Sequence, residues 1–170
     1  MIPLLFNLAF SLLLLAVAII DIKTMTIPDK LTLSVGVVCL LWIGLESYHQ
    51  WLQVDTHWYS PLLSGLGGGL LGGGLLFLAD QLSLWLVGKD GFGYGDVKLM
   101  LACGLVLGWQ LVLVALWVAF VSGAVVGVAV LQQRKRVGNP SGYMAFGPFL
   151  CLGAWVAWLW GPSLLNWWLG

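Results

Sequence analysis

The chain has 170 residues, of which 61% are hydrophobic and only 8% charged, with a formal net charge of zero. Soluble domains carry roughly a quarter charged residues, so a water-soluble globular domain is excluded. A nucleic-acid partner is excluded too, because no positive charge is in excess to meet phosphates.

The pattern predicts an all-α membrane protein of about six transmembrane helices, each crossing taking roughly 20 apolar residues. Residues 1–170 read as a single membrane-embedded domain whose outer surface meets membrane lipid. The first segment covers residues 3–20. No Lys or Arg precedes it, so it lacks the basic region of a cleavable signal peptide and reads as a permanent span. A polar stretch, 21–30, follows with Asp21, Lys23 and Ile27-Pro28-Asp29-Lys30, where proline disfavours helix. The second segment, 31–45, leads into an expected loop, 46–60. That loop carries Glu46, His49, Asp55 and His57, with Tyr48, Trp51 and Trp58 suited to a membrane–water interface.

The third segment, 61–87, opens with seven glycines between Gly65 and Gly74. In water such a run breaks helices. In lipid an unpaired backbone is too costly, so a helix with a smooth packing face is expected. The face suits another helix of this chain or a substrate helix, and internal packing is the preferred reading. A glycine-rich loop, 88–95, precedes a fourth helix, 96–107. Gly108-Trp109 marks a tight turn before a fifth, 110–131. A basic cluster, Arg134-Lys135-Arg136, and a polar loop follow. The last segment, 143–160, is expected to stop at Gly161-Pro162, leaving 163–170 at an interface. Cys39, Cys103 and Cys151 each sit in an apolar run, without any CxxC, and read as buried small hydrophobes.

All seven basic residues fall in alternate connections: Lys23 and Lys30, then Lys89 and Lys98, then Arg134 to Arg136. The positive-inside rule makes these connections cytoplasmic and puts both termini and the 46–60 loop outside. Asp21 and Asp96 then arrive at the same side of the membrane from distant parts of the chain.

Seven acids compete for a chemical role. Glu46 and Asp55 read as solvated surface. Asp29 reads as a helix cap or a partner of Lys30, and Asp90 as a group that positions its loop or meets substrate charge. Asp80 is either an intramembrane functional acid or, preferably, a group satisfied near the interface by Gln81 and Ser83. Asp96 is framed by Gly93 and Gly95 and starts a helix, whose N-terminus favours an anion. Those glycines leave room for a second backbone to approach. Two carboxylates that share a proton can activate a water and protonate a carbonyl, which is aspartic-protease chemistry. The competing structural reading has Asp21 and Asp96 capping helices or pairing with Lys23 and Lys98. Lys98 itself suits lipid headgroups or the field of the site. His49 and His57 lie away from both acids, so no metal centre is expected, and no GKS/T accompanies the glycines to cradle phosphate.

Three blocks carry a resemblance. Asp21 with Ile27-Pro28-Asp29-Lys30-Leu31-Thr32 is one, and Gly93-Tyr94-Gly95-Asp96-Val97-Lys98-Leu99 is the second. Ala145-Phe146-Gly147-Pro148-Phe149-Leu150 is the third. In this order they resemble the peptidase domain of type IV prepilin peptidases, of the GxGD class of aspartic proteases. The resemblance implies a bacterial inner-membrane endopeptidase. Its substrates would be prepilins or type II secretion pseudopilins, cut after a glycine between basic leader and apolar helix, on the cytoplasmic side. It implies Asp21 and Asp96 as the catalytic pair. Pro28, Asp29, Asp90, Gly93, Gly95, Lys98, Gly147 and Pro148 are expected to bind substrate or shape the site, with Asp29 or Asp90 attracting the basic leader. Many members also carry paired CxxC motifs in an N-terminal extension linked to N-methylation. These residues contain none, so a short form is expected that needs no cofactor. S-adenosylmethionine enters only if methyl transfer is retained. Two other readings compete: a transporter or proton relay through Asp21, Asp80 and Asp96, which requires acids staggered across the membrane, and an assembly factor with the fold but not the chemistry.

Overall fold

The computed structural model describes residues 2–53, 59–88, 91–136 and 144–169. Within them the chain is helical: α1 (Ile2–Thr24), α2 (Asp29–Leu52), α3 (Ser60–Val87), α4 (Tyr94–Arg136) and α5 (Gly147–Leu169). All five are long and apolar enough to cross a membrane. Their outward faces are leucine-rich, with Leu4, Leu8, Leu12 and Leu15 of α1 all exposed. A patch of that extent suits lipid and not water.

At ~1.5 Å per residue, the 43 residues of α4 would run for about 65 Å, twice the ~30 Å of hydrocarbon. Gly108 resolves the excess with φ 72° and ψ 173°, a conformation that favours glycine. The chain turns back there. Gly73 lies against Val97 and Leu101, and Gly68 against Gly104, so the first half of α4 runs antiparallel to α3. Gly72 also meets Val112, so the second half runs alongside α3 in the same direction. Five helices therefore make six segments, the first half of α4 being shorter than a full crossing.

The glycine-rich face of α3 packs internally. A Cβ on Gly65 or Gly68 would strike the carbonyl oxygens of Leu105 and Gly104, and one on Gly69 would lie 2.9 Å from that of Leu101. Close backbone approach is what small residues provide where no hydrophobic effect drives helices together. At these glycines no room remains for a substrate helix.

Helix α5 returns along the second half of α4, with Gly161 at Leu111, Gly153 at Ala115 and Gly123 at Phe146. It runs antiparallel to α1 as well. The Trp158 Nε1 donates to Asn7 Oδ1 at 2.9 Å and the Trp155 Nε1 to Ser11 Oγ at 3.0 Å. Phe6, Phe10, Trp42 and Trp158 form an aromatic cluster at that end of the bundle. The other end carries Asp21, Asp96 and Gly147.

Three expectations are corrected. Helix α2 continues to Leu52, so Glu46, Ser47 and His49 are helical. Its buried face, Val35, Cys39, Ile43 and Ser47, keeps a four-residue spacing into the polar stretch. Helix α5 runs through Pro162 to Leu169, because a proline removes one backbone donor and neighbouring helices hold the rest in place. Helix α1 carries on past residue 20, so Asp21 is itself helical.

The α3–α4 seam yields a prediction. Gly104→Ala puts a Cβ into the backbone of Gly68 and Gly69. It should lower unfolding free energy by about 1–3 kcal/mol through overpacking, read as a lower melting temperature in detergent. Gly74→Ala, whose Cβ meets nothing within 4 Å, should leave that temperature unchanged or raised.

Candidate active site

Gly93 precedes the first turn of α4, and Asp96 is the third helical residue. The Gly93 N–H donates to Asp96 Oδ2 at 3.4 Å, and the Asp96 N–H donates to the Gly93 carbonyl at 2.9 Å. This is half of a capping box, in which an acid at the third position satisfies an orphan N–H at the helix start. The spacing of Gly93 and Asp96 thus has a local structural use, but it occupies one carboxylate oxygen. The other, Oδ1, is buried without a hydrogen-bond partner. Such an atom is costly unless a proton or a water meets it.

Asp21 sits in the last turn of α1, where the helix dipole disfavours an anion. The compensation comes from α5. The Gly147 N–H, one of the unpaired donors at that helix start, donates to Asp21 Oδ2 at 2.9 Å across 126 residues of sequence. A Cβ on Gly147 would lie 2.5 Å from the same oxygen, so only glycine lets the backbone reach it. Asp21 is 4% exposed and Asp96 8%.

Ile27 wedges between the two halves. It would lie 2.9 Å from a Cβ on Gly95, and its Cδ1 3.1 Å from one on Gly147. The space at Gly95 is therefore taken by the α1–α2 linker. At Gly93 the nearest atom to such a Cβ is Asp96 Oδ2 at 3.8 Å, so backbone approach remains open there. Phe146, beside Gly147, packs on Phe92 at 5.0 Å and on Phe120 at 5.5 Å. The segments that deliver the two acids are thus held by aromatic contacts. Ile27 and these rings carry no chemical signal in sequence and emerge only from the fold.

The remaining acids are structural in their contacts. Asp80 is buried, and its Oδ1 accepts the N–H groups of Gly91 and Phe92, both at 2.9 Å. Its partners are thus loop backbone, beyond the expected Gln81 and Ser83. Asp29 pairs with Lys98 Nζ at 2.6 Å across 69 residues, instead of with Lys30. Both side chains are largely exposed, so the pair ties α2 to α4 for about 0–1 kcal/mol. Pro148 occupies the first turn of α5, where a missing N–H has no cost. Asp90, Asp55 and His57 lie outside the described residues. A relay would stagger its acids across the bundle, whereas Asp21, Asp96 and Asp80 gather at one end.

Fold and site together define a polytopic helical membrane protein with a buried carboxylate pair at one end of its bundle. The family described as Type IV leader peptidase matches residues 8–128. The chain belongs to that family. Three relatives are each named prepilin leader peptidase/N-methyltransferase. One from Aeromonas salmonicida strain A449 is 36% identical over 156 residues, 92% of this chain and 49% of the relative. One from Legionella pneumophila is 33% identical over 171 residues, 99% of this chain and 54% of the relative. One from Escherichia coli K12 is 36% identical over 146 residues, 84% of this chain and 57% of the relative. The chain thus spans about half the length of these relatives. No solved structure matches it.

Asp80 offers a test of how the loop is held. Asp80→Ala leaves the N–H groups of Gly91 and Phe92 without their acceptor and should cost about 2–4 kcal/mol of stability. Hydrogen exchange at residues 91–93 should rise at the same time.

Proposed function

We propose that residues 1–170 act as one peptidase unit of the bacterial inner membrane. It removes the basic leader from type IV prepilins or type II secretion pseudopilins, after a glycine, on the cytoplasmic side. The observation that carries this reading is that Asp21 and Asp96 are both buried on either side of Ile27 at one end of the bundle, with Asp96 Oδ1 unpartnered. The exposed cations Lys23, Lys30 and Lys98 stand at the same end, which supports a cytoplasmic site and outward-facing termini.

In this reading the two carboxylates hold one proton between them. The ionised one takes a proton from water, whose oxygen attacks the scissile carbonyl carbon. The protonated one donates toward the carbonyl oxygen, and the peptide nitrogen leaves with a proton when the tetrahedral intermediate collapses. The Gly147 N–H fixes Asp21 and the Gly93 N–H fixes Asp96, so neither acid has to be oriented during the reaction. Gly93 leaves space for the substrate backbone. Asp29 already faces Lys98, which leaves it little net field for a basic leader.

The relatives' name includes an N-methyltransferase, which implies S-adenosylmethionine. The described residues near the acids do not fit that group. Asp21 is taken by Gly147, Asp80 by the loop and Asp29 by Lys98. Among the described residues at this end, Asp96 Oδ1 is the buried side-chain oxygen left without a partner, and the peptidase reading uses it. No methyl-transfer step is assigned to these residues.

The 170 residues alone, in membranes with a prepilin, should release the leader. Asp21→Asn and Asp96→Asn should each reduce cleavage by about a thousandfold or more. Wild-type rates in either variant would overturn the pair. Gly147→Ala should shift the Asp21 carboxylate and cost about a hundredfold in kcat, with KM little changed. A larger effect on KM than on kcat would move Gly147 out of the positioning role.

A further inference from the structure

A cavity of about 330 Å³ opens at the end of the bundle away from the two aspartates. It lies between α2, α3, the first half of α4 and α5. Its carboxylate and amide acceptors come from α2, and a hydroxyl, that of Ser64, from α3. Glu46 and Gln50 are one turn apart and line it together. The Gln50 Oε1 is buried and accepts no hydrogen bond. Glu46 takes part in no ion pair among the described residues. The break at Gly108 leaves the last carbonyls of the first half of α4 without helical partners, and Leu105, Val106 and Leu107 line the same space. The returning half of α4 contributes only Gly108 to the lining. Trp42 and Trp158 form another wall, their rings 6.1 Å apart and perpendicular.

Among the described residues no Lys or Arg stands at this end. All seven Lys and Arg lie in the three connections assigned to the aspartate end. The Trp158 N–H is already spent on Asn7. A carboxylate, an unsatisfied amide oxygen and indole rings therefore face a space that calls for a compact cation with several N–H donors. An ammonium has three such donors, and an indole attracts it further. The cavity opens at the membrane surface, where phospholipid headgroups supply that chemistry.

We propose that this cavity binds a primary ammonium group, of the kind an ethanolamine phospholipid presents. A quaternary choline lacks the N–H donors that Gln50 and Glu46 need, and a glycerol headgroup lacks the charge. The site is independent of the carboxylate pair and of the reaction proposed for it.

The test uses the full chain, purified in detergent and titrated with dioleoylphosphatidylethanolamine, -choline or -glycerol. Bound lipid is counted by native mass spectrometry, and melting temperature is followed in parallel. The ethanolamine lipid should be retained about tenfold better than the choline lipid, and should raise the melting temperature more. Glu46→Gln should reduce that preference to about twofold or less. Gln50→Leu serves as the second variant and should weaken retention without reversing the headgroup order. Free ethanolamine separates the sources. Stabilisation by millimolar free amine, lost in Glu46→Gln, places the ammonium group itself in the cavity. Stabilisation by the lipid alone places the whole headgroup there. Equal retention of ethanolamine and choline lipids, a preference untouched by Glu46→Gln, or the same stabilisation from magnesium alone would each overturn the proposal.

Discussion

One hydrogen bond organises the carboxylate end of this protein: the Gly147 N–H on Asp21. An acid in the last turn of a helix opposes the helix dipole, and a donor at the first turn of another helix is left without a partner. Placing the end of α1 against the start of α5 satisfies both. The side chain that any other residue would carry at 147 stands where the carboxylate must be. Two helices at opposite ends of the chain are thereby locked at one level. Ile27, pressed against both Gly147 and Gly95, transmits that level to α4.

The α3–α4 seam sets the second coordinate. Three glycines of α3, Gly65, Gly68 and Gly69, admit the backbone of α4 at distances that no larger residue allows, and Gly72 and Gly73 keep it nearly as close. Because the contact is backbone to backbone, the register along the seam has little slack. Asp96 is carried at a fixed height by that register, and the Asp80 carboxylate holds the preceding loop at Gly91 and Phe92. The acid that tempts a relay reading is thus a brace for the loop that delivers Asp96.

Much of this was legible in the sequence because it rests on one-dimensional patterns. Alternating basic connections bring Asp21 and Asp96 to one end, and Gly108 marks the reversal inside α4. Other features depend on pairs the chain makes only when folded. Lys98 meets Asp29 across 69 residues, and nothing local favours that pairing over Lys30. Asp80 finds its partners in backbone eleven residues on, which depends on loop shape. The extension of α2 to Leu52 did have a signal, since Val35, Cys39, Ile43 and Ser47 keep one face through the polar residues. The polar residues of that stretch mask the periodicity. Cys39, Cys103 and Cys151, distant in sequence, come near one another in the core as free, buried thiols.

The depth of the carboxylate pair follows from helix lengths. From Tyr94 to the break at Gly108, α4 rises about 21 Å at ~1.5 Å per residue, short of the ~30 Å of hydrocarbon. Its neighbour α3 has 28 residues and continues past the level of Val97, which faces Gly73. Asp96 therefore stands well back from the end of α3, inside a wall whose outer residues, Leu82, Leu86 and Trp85, are apolar and exposed. Both acids are buried in the protein, which sharpens the electrostatics between them. A peptide bond reaches them only if it lies close to where an apolar helix begins, because an unpaired extended segment within lipid is costly. For the leader peptidase activity proposed above, the recess suits a substrate whose short polar leader joins an apolar helix directly.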